Sequence, residues 1–144
     1  MSDDIIRNDE IQEVLVTYLK AITNITNLLV TSDGTATPDE IREDGWKGTE
    51  FTYPNIRIRM IRNEPIISRS CYQRIEVSFL VFSEQSSSLE ADKIAGIIGN
   101  ELHEHPFSAS GLAVSLRLRN LVPAIWSGEH LWRSEVIMSG IVSG

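Results

Sequence analysis

Cysteine is all but absent: Cys71 is the only one in 144 residues. A single thiol cannot close an internal disulfide, so the core must be held by burial alone, and the usage fits a reducing compartment. No run approaches the ~18 consecutive apolar residues of a membrane span. The first ten residues, MSDDIIRNDE, are too polar for a secretory signal. Synthesis in the cytoplasm, with no membrane partner, is the simplest expectation. Positive charge is short in the first third. Residues 1–50 hold 11 acids against 4 Lys and Arg, whereas residues 51–144 hold 9 of each. The whole chain carries −7. A duplex-binding protein needs a positive surface to displace counterions, so DNA is disfavoured as the principal partner. No P-loop, GxGxxG, GxSxG or HExxH pattern occurs.

What is present is an ordinary globular balance, 42% hydrophobic and 23% charged, at a length that suits one domain, residues 1–144, with one core. Its centre is the stretch from Gln73 to Leu102. Ile75, Val77, Phe79 and Val81 alternate with Arg74, Glu76, Ser78 and Leu80, which is a strand with one apolar face. The period then changes. Any of Ser86, Ser87 and Ser88 can cap a helix that carries Leu89, Ile94, Ile97, Ile98 and Leu102 on one side.

The other elements are read beside this unit. Ile11, Val14, Leu15, Tyr18, Leu19, Ile22 and Ile25 predict a first helix over Asp9–Leu28, weak at its far end. Thr31–Tyr53 reads as a long acidic loop with room for a helical turn at Pro38–Asp44. Its Trp46 and Phe51 either pin the loop to the domain or dock into a neighbouring subunit. Strands are predicted at Asn55–Asn63, Gln73–Phe82, Leu112–Arg119 and Leu131–Val142, with loops at His103–Gly111 and Asn120–Glu129. In the last strand Gly140 interrupts the apolar face and marks a bulge or a close approach. The order is α-β-β-α-β-β. It predicts an α+β fold: a four-stranded, mainly antiparallel sheet with two helices packed on one face.

The second face of such a sheet carries Arg57, Arg59, Arg117, Arg119 and Arg133 among Glu76, Glu135, Leu80, Phe82, Ile61 and Ile137. It reads either as a solvated face laced with ion pairs or as a subunit interface, where arginine and aromatics are favoured. The interface candidates are therefore those five arginines with Trp46 and Phe51. Glu101, His103, Glu104 and His105 form a cluster with a metal-like look, but a third ligand at suitable spacing is missing. Cys71 has no legible histidine partner. No catalytic residue, cofactor or metal is expected.

The arrangement resembles the tail terminator, or tail-completion, proteins of long-tailed bacteriophages. The resemblance rests on an N-terminal helix, a loop, and a strand opening Tyr53-Pro54-Asn55-Ile56. Next comes the strand-into-helix unit Arg74–Leu102, with Glu90-Ala91 at its helix start. A last strand carries Leu131-Trp132-Arg133-Ser134-Glu135-Val136. The resemblance implies a structural virion protein of the tail or neck, made in the host cytoplasm and free of catalytic residues and cofactors. It implies a homo-oligomeric, hexameric ring that sits on the tail tube, ends its polymerisation and meets the head connector and neck proteins. DNA would pass through the ring without specific binding, kept from sticking by acidic residues of the 31–53 loop. The competing readings are another neck or tail component, such as a head-closure protein, and a small α+β ligand-binding or enzyme domain.

Overall fold

A computed structural model of the chain describes residues 5–29, 41–45, 53–66, 69–84, 87–127 and 131–144, with the backbone alone at 69–71. Helix α1 spans Asn8–Lys20 and buries Ile11, Val14, Leu15 and Leu19. Its start is held by Glu10, whose Oε1 accepts from the Arg7 backbone N–H at 3.2 Å. Beside it the Arg7 guanidinium donates to Asp9 at 3.0 Å. That bond lowers the Asp9 pKa and raises that of Arg7. The helix stops at Lys20, earlier than its apolar spacing predicts. Helix α2, Thr23–Thr26, and a 3-10 turn, Asn27–Leu29, replace the expected last turns. Thr23, Asn24, Thr26 and Asn27 are poor helix formers, and the broken path still buries Ile25 and Leu29.

The sheet corrects the sequence reading. Among the described residues it has six strands, not four, in the order β1-β2-β3-β6-β5-β4, and three helices accompany it rather than two. The strands are β1 Ile41–Glu43, β2 Asn55–Ile66, β3 Arg69–Ser83, β4 Phe107–Ala109, β5 Leu112–Trp126 and β6 Trp132–Ser143. The β1 pairing with β2 is parallel and every other pairing is antiparallel, so the sheet is mixed. The two extra strands have three residues each, too few to print a period-two pattern. Strand β1 occupies part of the stretch expected to hold a helical turn. Strand β4 lies in the expected loop after the second helix, closed onto β5 by Ser110 and Gly111, both at positive φ.

Strands β2, β3 and β5 are longer than expected, while β6 keeps its expected length, one residue further on. Strand β5 runs to Trp126 through the region read as a loop. It contains Pro123 and two register shifts, one between Leu118 and Asn120 and one between Val122 and Ile125, which scramble the alternation. Proline is tolerated there because the outer side of β5 is an edge along this stretch.

Helix α3, Leu89–Leu102, lies over β3, β6 and β5, while α1 lies over β1 and β2. Both contribute to one core with Ile56, Ile58, Val77, Phe79, Val136 and Met138. The Tyr18 ring of α1 stacks on Phe107 of β4 at 3.7 Å, although the same helix touches β1 at the opposite edge. Six flat strands would hold these edges about 24 Å apart, roughly twice a helix diameter. The sheet must therefore curl around its helices.

Two polar residues on the covered face, Gln73 and Ser134, are bonded, whereas the Trp132 indole N–H is buried without a partner among the described residues. Gln73, buried at the end of β3, donates to Ile6 O at 3.0 Å and to Asn63 Oδ1 at 2.6 Å, and its Oε1 accepts from Ile6 N–H at 2.6 Å. Ser134 donates to Val122 O at 3.1 Å. Gly140 is a close approach and no register shift falls there: a Cβ would lie 1.9 Å from Ser115 O on β5.

Candidate interaction surface

The face of the sheet away from the helices is built by register. Its rows can be written across β2, β3, β6 and β5. One is Asn55, Phe82, Arg133, Ile125; the next is Arg57, Leu80, Glu135, Val122; then Arg59, Ser78, Ile137, Asn120; then Arg62, Glu76, Ser139, Arg117. Every row carries charge; the first three add apolar residues, while the last holds only Ser139 among its charged groups. Ser78 donates its hydroxyl to Glu135, which ties the two central strands together. Arg57 is 5% exposed and Leu80 7%, although both long helices lie on the other side.

The five arginines do not converge. Arg57 and Arg59 stand on β2, and Arg117 and Arg119 on β5, three strand spacings or about 14 Å away. Arg133 stands between them on β6, opposite Phe82 and Ile125. The Arg57 Nη1 donates to Ile56 O at 3.2 Å. Arg117 reaches Glu104 at 3.5 Å. Arg59, Arg119 and Arg133 make no ion pair among the described residues. Trp46 and Phe51 lie outside the described residues.

Two further features escape a reading by period. The first is a cleft of ≈ 440 Å³ between α1 and β1, lined by Asp9, Gln12, Glu13, Val16, Thr17, Arg42 and Glu43. Arg42 bonds Glu43 there at 3.3 Å. The second is the outer end of β5, where three apolar residues are exposed on this edge strand: Leu121 (44%) and Trp126 (51%) on the helix side, opposite Val136 and Trp132, and Ile125 (50%) on the other, opposite Arg133. The Trp126 ring meets Trp132 edge-on at 5.1 Å. The signal for this patch was the run Leu121-Val-Pro-Ala-Ile125-Trp126, too apolar for the loop it was expected to form.

The histidine cluster is taken up by the fold. His103 Nδ1 accepts from the Leu118 N–H at 2.9 Å, which leaves the ring proton on Nε2. Glu104 N–H bonds Leu116 O at 2.9 Å, so the helix end is stitched onto β5. Glu101 accepts from Asn24 at 2.8 Å. Among the described residues no three His, Cys, Asp or Glu side chains are grouped to hold a metal. No helix there is long and apolar enough to cross a membrane.

No family model matches the chain, and no curated protein matches it. Among solved structures the fold is similar to a chain in the virion of a native gene transfer agent particle. That likeness has a TM-score of 0.65 at 12% sequence identity and covers 92% of this chain and 94% of the other. The mixed sheet with its helices is thus an architecture found, nearly end to end, in a chain of a virion.

Proposed function

We propose that this chain is a structural virion protein that caps a phage tail tube as a ring, six copies around, and offers the head-side neck a surface to join. The observation that supports it most is the likeness over 92% of the chain to a chain of a gene transfer agent virion. The tyrosine-proline strand opening and the strand-into-helix unit point the same way. In this reading the protein works by shape. A ring of identical copies closes by heterologous contacts. Its tube-facing rim occupies the site where the next tube subunit would add, so polymerisation ends. The proposal assigns no catalytic residue and no cofactor. DNA passes through the opening unbound, with the acids of residues 31–53 repelling its phosphates.

Two measurements test the proposal. Light scattering of the purified protein over a concentration series reads the assembled mass, and six copies of 16.2 kDa is the expected value. Imaging of growing tail tubes with and without added protein reads the capping. Tubes of fixed length, each with density at one end, are expected. Tubes that keep growing in the presence of excess protein would overturn the capping role. The likeness also fits another neck component such as a head-closure protein, which would attach to heads while leaving tube growth unchanged.

A further inference from the structure

We infer that copies of this chain join head to tail, the outer end of β5 in one copy seating in the α1–β1 cleft of the next. The inference rests on the ring reading and names the two surfaces that build the ring.

The two surfaces lie at opposite edges of the sheet, β1 at one and β5 at the other beyond the short reach of β4. A contact between opposite edges is heterologous by construction. Their chemistry is complementary. Seven large hydrophobic residues are exposed among the described residues, and Leu121, Ile125 and Trp126 are three of them on this one stretch. Arg117 and Arg119 stand exposed at its inner end. The cleft offers Val16 and Thr17 for the apolar residues and Asp9, Glu13 and Glu43 for the cations. Asp9 and Glu43 already have Arg7 and Arg42 beside them. Glu13 makes no ion pair among the described residues, and neither does Arg119. A cleft-to-cleft dimer would instead set acids against acids, which is unfavourable.

Register supplies the last condition. Arg42 of β1 pairs with Arg57, Arg57 with Leu80, Leu80 with Glu135, and Glu135 with Val122 of β5. One row across the sheet thus runs from the cleft to the apolar edge, and the two surfaces share a level along the strands. A heterologous contact closes into a ring where its rotation divides a full turn and grows into a filament where it does not.

The test is a charge exchange. Glu13→Arg and Arg119→Glu are made singly and together in the full chain, and assembly is read by light scattering against concentration. Thermal melts check that all variants fold, as both side chains are exposed. Each single change is expected to raise the concentration needed for assembly about tenfold or more. The double variant is expected to return to within about threefold of the unaltered chain. An Ile125→Ser variant, which touches no charge, is expected to weaken assembly in the same way. If the chain assembles and the single variants assemble as it does, the inference fails while the ring stands. Single losses without recovery in the double variant overturn the pairing as well. A chain that stays monomeric at every concentration also overturns it, and tube capping then decides the function separately.

Discussion

On the helix side of the sheet, Ile75, Val77, Phe79 and Val81 of β3 are sealed from water, while Arg74, Glu76, Ser78 and Leu80 between them share rows with arginines, two glutamates and isoleucines. The same strand supplies both sets, so the contrast belongs to the surroundings of each face. The covered face has a partner inside the chain, and its polar intruders, Gln73 and Ser134, are bonded. On the other face Ser78 and Glu135 are paired, yet Arg59 and Arg133 have no ion pair among the described residues. Packing against the helices is confined to one side of the sheet, while the middle of the other side, where Ser78 and Leu80 are also buried, combines apolar and charged residues.

Substitutions can break or sharpen that contrast. The largest effect is expected at Gly140, where any side chain collides with the β5 backbone at Ser115. Gly140→Val should cost more than about 4 kcal/mol in urea unfolding. A stable variant would mean that β5 and β6 can separate without loss of the core. Next is Gln73→Leu, which takes the partner from the Ile6 N–H, while Ile6 O keeps its bond from the Asn63 amide. A loss of about 1–3 kcal/mol is expected, since a buried N–H is left unpaired. The sign reverses at Gly96 in the middle of α3, where an added Cβ meets nothing within 4 Å. Gly96→Ala should raise stability by roughly 0.5–1 kcal/mol, through helix propensity. An unchanged or lower unfolding midpoint would mean that something outside the described residues fills that space. The smallest effect is expected on the other face: Arg59→Ala should leave unfolding within about 0.5 kcal/mol of the parent chain. A larger loss would show that this face carries stability after all.

The sequence disclosed most where a face was long and uniformly covered. The alternation of Ile75, Val77, Phe79 and Val81 and the spacing of Ile94, Ile98 and Leu102 correspond to β3 and α3, because burial on one side prints a clean period. The strand count was not legible. Three-residue strands such as Ile41–Glu43 and Phe107–Ala109 are defined by partners distant in sequence, and no local pattern encodes a distant partner. Strand β5 was truncated because Pro123 and two register shifts mimic a loop. Of the expected interface residues, Arg57, Arg59, Arg117 and Arg133 fall in rows across the sheet and Arg119 in a register shift; their separation was not legible, since spacing across the sheet depends on which strands lie between. The Trp126 patch was missed for the same reason as the end of β5. The α1–β1 cleft could not be foreseen without β1.

The clamp at the lower end of β3 has a consequence for labelling. Ile6 is held by Gln73, and a Cβ on Gly144 would lie 3.7 Å from Ile6 Cδ1, so residues 6 and 144 are neighbours. Both lie by the row of Gln73, Val142 and Val114, seven residues and roughly 23 Å along the strand from the level of Leu80. A fluorescent domain fused ahead of residue 6 or after residue 144 therefore starts from the same corner of the molecule. In a ring closed about an axis along the strands, all the labels would mark one rim.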